Sequence, residues 1–343
     1  MPIFKQNTRF ERGIDLAGPS KGEYIAKNWH TAQTITDLGS VGFYQQTAQT
    51  WFTFGTNGTT TPYAMSADGS DWYYRGAIGG FQGVCALRDS HATGPEYVTV
   101  AGGLSPGGTA YKIKRSPDLG TTWEDILIGV ADTSFVTAMA FASFGYLARI
   151  GNDIHWSLTG DSGSYNLMLT MSNPSSPNNL CTNNGNLVVA YAQTGSTYYT
   201  TTTGSSWSTR TFPNSFVVTS MAYGKVGGSL VNGFLAIGSD ATGPAAYYSF
   251  SGTSWSLMHR FASGTQFGSL AAMNEVFIGM IISAEAGGGS NVLYSPDGGT
   301  TWKPATTVAN YFGTHIEVAT RPGESPHQAG IFQDNLTKMT IVG

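Results

Sequence analysis

The chain has 343 residues, a formal net charge of −4, 41% apolar and 13% aromatic residues, and 11% charged residues where an average soluble protein has roughly 25%. That length holds one large all-β domain or two ordinary domains, with apolar residues enough for a sizeable core. The slight acidity and the lack of a basic stripe argue against nucleic acid as a partner; no run of about 18 apolar residues offers a membrane-inserting helix; and two distant cysteines, Cys85 and Cys181, make neither a disulfide framework nor a zinc site.

Residues 1–22 come first and are comparatively charged, with Lys5, Arg9, Glu11, Arg12 and Asp15 before Gly18-Pro19. They read as an arm reaching a neighbouring subunit, and they contain no apolar signal region. Glu23 to Trp29 reads as an isolated strand ending in an aromatic residue. From there short stretches rich in β-branched and aromatic residues alternate with Gly-rich breaks, and no segment keeps a helical period. Ser66-Ala-Asp68-Gly69-Ser-Asp-Trp72 is the first of a series of related turns. Lys112, Lys114 and Arg115 follow on what reads as a solvated strand edge. Ser116-Pro-Asp118-Leu-Gly120-Thr-Thr122-Trp123 is nearly identical to Ser295-Pro-Asp297-Gly-Gly299-Thr-Thr301-Trp302. Between them stand Ser157 to Tyr165, Thr201 to Trp207 and Ser249 to Trp255. The unit around Trp255 is the clearest: strands at 217–223, 233–238, 245–250 and 254–259, with the turn before the last. Gly287-Gly-Gly289 lacks the Lys-Ser/Thr of a phosphate loop and reads as a hairpin tip. After Trp302 come three strand-like stretches, 314–319, 328–332 and 337–342.

The aromatic anchors at 72, 123, 165, 207, 255 and 302 recur about every 45 residues, the period of a four-stranded propeller blade. The tail is one strand short of a blade, and Trp29 lies one period before Trp72. The expectation is therefore an all-β, seven-bladed β-propeller of four-stranded antiparallel blades, closed by an N-terminal strand (23–33, with Trp29) that completes the last blade. The blades are expected at about 34–76, 77–129, 130–170, 171–213, 214–261, 262–304 and 305–343.

The sequence S-x-D-x-G-x-T-W resembles the Asp-box, or bacterial neuraminidase repeat, in Ser66, Asp68, Trp72, Ser116, Asp118, Gly120, Thr122, Trp123, Trp207, Trp255, Ser295, Asp297, Gly299, Thr301 and Trp302. That resemblance implies turns between the third and fourth strands of each blade, on the rim and away from any central site. The residue types suit such turns. Asp accepts backbone N–H groups, Gly allows positive φ, and Trp buries a large ring. Sialidases of this kind carry an arginine motif, Phe/Tyr-Arg-Ile-Pro, that is absent here; Thr8-Arg9-Phe10-Glu11-Arg12 is the nearest string.

No catalytic, cofactor or metal residue is assigned. The carboxylates outside the turns, Asp89, Glu96, Asp153, Asp240, Glu275, Glu285 and Glu317, are scattered, although ring closure could still pair two of them as a glycosidase requires. His315 and Glu317 share one strand face without a metal-ligand spacing. Tyr73-Tyr74, Tyr198-Tyr199 and Tyr247-Tyr248 sit beside the turns, and alternation aims Tyr74, Tyr199 and Tyr248 outward as glycan contacts. The function expected is a non-enzymatic structural or host-attachment component of a virus particle, a bacteriophage tail. It would be made in the host cytoplasm, need no cofactor, bind other tail proteins through residues 1–22 within a symmetric assembly, and bind host surface glycan. A lectin-like propeller is the alternative. Behind it stand a polysaccharide hydrolase and an assembly scaffold like the photosystem assembly propellers.

Overall fold

The computed structural model describes residues 41–45, 50–55, 60–67, 71–79, 82–88, 98–103, 111–128, 136–172, 179–183, 185–227, 231–273, 276–281, 292–305, 315–319, 328–332 and 340–341. Among them the strands form six four-stranded sheets and one three-stranded sheet, all antiparallel. The first sheet holds β1 (Val41–Gln45), β2 (Thr50–Phe54), β3 (Thr60–Ser66) and β4 (Tyr73–Gly79); the second holds β5 (Gln82–Arg88), β6 (Val98–Gly103), β7 (Tyr111–Ser116) and β8 (Glu124–Leu127). The third holds β9 (Val136–Ala142), β10 (Gly145–Ile150), β11 (Asp153–Ser157) and β12 (Asn166–Thr170); the fourth holds β13 (Leu180–Thr182), β14 (Val188–Tyr191), β15 (Thr197–Thr201) and β16 (Ser208–Thr211). The fifth holds β17 (Val217–Val226), β18 (Val231–Asp240), β19 (Gly243–Ser249) and β20 (Ser256–Arg260); the sixth holds β21 (Phe267–Met273), β22 (Val276–Ile281), β23 (Val292–Ser295) and β24 (Lys303–Pro304). The last holds β25 (His315–Ala319), β26 (Gln328–Phe332) and β27 (Thr340–Ile341).

Within each sheet the strands follow chain order, so each sheet is a simple meander. The first strands pack side by side, from β1 through β5, β9, β13, β17 and β21 to β25, and β25 returns to β1. That is the inner ring of a propeller. Its second strands are buried on both faces: every residue of β10 and β14 is buried. They read as continuous apolar runs because a neighbouring sheet covers each side. The fourth strands are mostly exposed, as in β12 and β16. Five seams between consecutive sheets, from the first to the sixth, carry described hydrophobic cores. Aromatic rings dominate them: Phe54, Tyr63 and Trp123 join the first two sheets, and Tyr198, Phe212 and Trp255 join the fourth and fifth.

The expected ring of seven uniform four-stranded blades closed by an N-terminal strand is corrected. The last sheet has three described strands, all from the C-terminal stretch, and no N-terminal closing strand is shown. Trp29, the segment 23–33 and the arm 1–22 lie outside the described residues. β4 also runs on to Gly79, past the boundary expected at 76. A short 3-10 turn, Pro213–Ser215, leads into β17, with Asn214 and Ser215 at positive φ.

Candidate functional site

A meander has two ends. The β1–β2 and β3–β4 type of turn lies at one, and the β2–β3 turn with the crossing to the next sheet lies at the other. The repeated Ser-x-Asp-x-Gly turns sit between third and fourth strands, at the first end. In the second sheet Gly120 N–H donates to Ser116 Oγ at 2.6 Å, Ser116 Oγ donates to Asp118 Oδ1 at 2.8 Å, and Asp118 accepts Thr122 N–H at 2.8 Å and the Thr122 hydroxyl at 2.7 Å. The sixth sheet repeats this set through Ser295, Asp297, Gly299 and Thr301 within 0.2 Å. The backbone N–H of Thr122, followed by its hydroxyl, holds the Asp118 carboxyl below its ordinary range. Burial works to raise Asp297, but the bonds from Thr301 and Ser295 outweigh it and the net shift is downward. These carboxylates are acceptors committed to their own turns, unsuited to trading protons. Ser66 and Trp72 are buried in the first sheet, while Asp68 lies outside the described residues.

The anchoring tryptophans use two arrangements. Trp207 and Trp302 donate their ring N–H to the turn carbonyls of Gly204 and Gly299, at 3.0 and 3.1 Å. In the second and fifth sheets a tyrosine from the preceding sheet intervenes. Tyr63 donates to the Gly120 carbonyl at 2.5 Å and Tyr198 to the Thr253 carbonyl at 3.0 Å, while the buried ring N–H of Trp123 finds no partner and the Trp255 ring packs edge-on against Tyr198. Tyr63 and Tyr198 both stand three residues before the turn's first hydroxyl residue, where the third and fifth sheets place Ile154 and Ala246.

Of the expected glycan contacts, Tyr74 is exposed, Tyr199 is corrected and Tyr248 keeps part of its ring in solvent. Tyr199 is 5% exposed, packs in the seam between the third and fourth sheets and bonds Ser172; Tyr248 is half-buried against the sixth sheet. Alternation does send the members of each pair to opposite faces, but on a third strand both faces meet a neighbouring sheet. Tyr73 and Tyr74 occupy a different place: they follow their turn and lie on the outer strand β4. A register shift between Tyr63 and Ala64 leaves Arg75 as an extra residue, and Tyr73 and Tyr74 are 63% and 60% exposed.

The opposite end of the fifth sheet carries a polar network. Asp240, at the end of β18, has a fully buried side chain. Its Oδ1 accepts Arg260 Nη1 at 2.6 Å and both the N–H and hydroxyl of Thr242 at 2.8 Å; its Oδ2 accepts the Tyr247 hydroxyl at 2.7 Å. Asn214 Nδ2 donates to that same Tyr247 oxygen at 3.0 Å, from its positive-φ turn. The Arg260 bond, followed by those of Tyr247 and Thr242, holds Asp240 far below the carboxylate range, and burial pushes the Tyr247 phenol up. The network is an ionised, saturated brace with a half-exposed guanidinium at its edge. Asp240 was legible as a carboxylate, and Asp240-Ala-Thr242-Gly243 is a side-chain-capped turn signature. Its partners Asn214, Tyr247 and Arg260 left no local signal.

The other candidates scatter. Asp153 accepts the Thr170 hydroxyl at 2.7 Å. Asp89, Glu96, Glu275 and Glu285 lie outside the described residues, as do the side chains of Glu317 and His315 on β25. Arg115 is no solvated edge: on the third strand β7 it bonds Glu124 at 2.7 Å and, across the seam, Asp161 at 3.1 Å, beside a Lys114–Asp125 pair. Cys181 is buried and free, with its thiol pushed up to about 12 by burial. Among the described residues no three His, Cys, Asp or Glu side chains gather as a metal ion requires, and no helix is long and apolar enough to cross a membrane.

No family model matches the chain, and no curated protein matches it. Solved structures do. YCF48 bound to D1 peptide has a TM-score of 0.64 and 17% identity over 92% of this chain and 95% of that one. YCF48 from Cyanidioschyzon merolae has a TM-score of 0.59 and 15% identity over 92% and 98%. A catalytically inactive virginiamycin B lyase from Staphylococcus aureus, with quinupristin, has a TM-score of 0.66 and 9% identity over 92% and 99%. At such identities the likeness speaks for the fold alone, and the fold is an all-β propeller.

Proposed function

We propose that this chain is a non-enzymatic structural and host-attachment component of a virus particle, a bacteriophage tail protein whose residues 1–22 anchor the propeller to a neighbouring subunit. Its repeated turns are of the Asp-box kind. The observation that carries the reading is the commitment of Asp118 and Asp297 to their own turns: the recurring acidic chemistry is spent on folding. A low charge content and a charged N-terminal stretch before the propeller support a particle component. YCF48 bound to D1 peptide is a precedent for peptide binding by a protein of similar fold.

The test is the mass of the native protein and its assemblies, with and without residues 1–22. Full-length protein should join a larger symmetric assembly and the truncated chain should remain a soluble monomer. Identical monomers in both cases would overturn the anchoring role. A second reading, glycan binding, is favoured by the exposed Tyr73-Tyr74 pair. Such a pair can stack on sugar faces. A glycan panel read against Tyr74→Ala decides it.

A further inference from the structure

The seam between the third and fourth sheets contains a buried cation that no carboxylate among the described residues neutralises. Counting from the residue paired with each turn's first hydroxyl residue, the third position onward on the second strand is Phe54 in the first sheet, Arg149 in the third, Tyr191 in the fourth and Ile237 in the fifth. Three are large rings or aliphatics, and one is a guanidinium. Tyr146, Ala148 and Ile150 face the second sheet and Leu147 faces the fourth, so alternation puts Arg149 on the fourth-sheet side. It is 1% exposed. Its Nε donates to the Gly151 carbonyl at 3.0 Å, a contact made by the turn in which Gly151 takes φ 58°, and its buried Nη1 has no partner. Asp153, on the next strand, takes the Thr170 hydroxyl, and among the described residues no carboxylate pairs with Arg149.

Arginine keeps its proton even when burial disfavours the charge, as it does here, so the seam holds a positive charge that must be compensated. At 1% exposure the guanidinium favours a small ion over a peptide carboxylate or a phosphate. We propose that Arg149 Nη1 holds a monovalent inorganic anion of chloride's size inside this seam. The ion neutralises the guanidinium and ties the third sheet to the fourth, so the propeller's stability responds to halide.

The experiment is thermal melting of the full chain, prepared in sodium gluconate and titrated with sodium chloride or bromide at constant ionic strength. The melting temperature of the wild type should rise saturably with either halide. Arg149→Met, which restores the apolar character of the position, should melt higher than the wild type in gluconate and ignore halide. Bromide-soaked crystals of the wild type should show an anomalous peak beside Arg149 Nη1, a readout that stands even if the variant folds poorly. An equal halide response in both proteins, a wild type indifferent to halide, or crystals with no bromide at Nη1 would each overturn the site.

Discussion

Gly298→Ala should be among the most damaging single-methyl additions in the molecule. Gly298 has φ 70°, and a β-carbon there would stand 2.5 Å from Gly227 N, 2.9 Å from Lys225 O and 2.9 Å from Val226 C. All three are backbone atoms at the end of β17 and of the residue after it, in the fifth sheet, so no side chain can swing away. The left-handed conformation alone costs an L-residue about 1–2 kcal/mol. Overpacking against backbone adds about 1–3 kcal/mol. The Gly227 N–H bond to the Gly298 carbonyl, 2.9 Å long, would be strained as the turn retreats, at a cost of about 1 kcal/mol. The expected loss is roughly 3–6 kcal/mol. Leu119 is the internal control. It holds the same position in the nearly identical turn of the second sheet, at φ 56°, and packs its side chain into the seam with the first sheet. Leu119→Gly relieves the backbone and forfeits that packing, so the two effects should leave it within about 1 kcal/mol of the wild type. Urea unfolding measures both, with the slope checked for constancy. If Gly298→Ala costs no more than Leu119→Gly, the account of how the sixth sheet's turn seats on the fifth is wrong.

Tyr63→Phe should cost less than about 1 kcal/mol, because Trp123 Nε1 can take the Gly120 carbonyl that Tyr63 vacates; the Tyr63→Phe, Trp123→Phe pair should then be more harmful than the sum of the singles in a double-mutant cycle. Arg115→Met should cost about 1–2 kcal/mol, below the figure for a fully buried pair because Glu124 and Asp161 are 48% and 60% exposed, and the loss measured by urea unfolding should shrink in high salt. Asp118, Asp161, Asp240 and Asp297 are all held below their ordinary range by Thr122, by Thr159 and Arg115, by Arg260, and against burial by Thr301. A carboxyl depressed in the folded state contributes stability above its unfolded value, near 3.9, and loses it as pH falls through the folded value. The melting temperature should therefore hold between about pH 5 and 7 and drop below about pH 4; a flat profile down to pH 3 would count against the turn hydrogen bonds.

What the sequence revealed and what it hid divide by range. The turns were legible because their bonds join residues two to four apart, such as Ser295 with Asp297 and Gly299, so residue type and spacing carry the whole motif. The strands of the fifth sheet were legible from β-branched runs between glycines. Tyr199 was misread because what covers each face of a third strand is decided by the neighbouring sheet, tens of residues away. Arg115 looked like a solvated edge for the same reason: its Asp161 partner is 46 residues on. The brace at Asp240 draws on partners 7 and 20 residues distant and, through Tyr247, on Asn214 a further 33 residues from that tyrosine. No local pattern announces such a set.

Positions that recur from sheet to sheet build the propeller, so specific recognition belongs to positions that differ. The residues following the six aromatic anchors are Tyr73-Tyr74, Glu124-Asp125, Asn166-Leu167, Ser208-Thr209, Ser256-Leu257 and Lys303-Pro304. A lectin with equivalent pockets would repeat its stacking residues, and at these two positions only the first sheet offers aromatic rings. Glycan bound on the outer strands should therefore occupy one site per chain. Isothermal titration with a glycan identified on a panel should give a stoichiometry near one, lost in Tyr74→Ala and in Tyr73→Ala. The variants should keep the wild-type melting temperature within about 2 °C, since both rings are mostly in water and exposed substitutions usually shift stability little. Several equivalent sites, or binding untouched by both substitutions, would move recognition away from β4 and to surfaces built by more than one sheet.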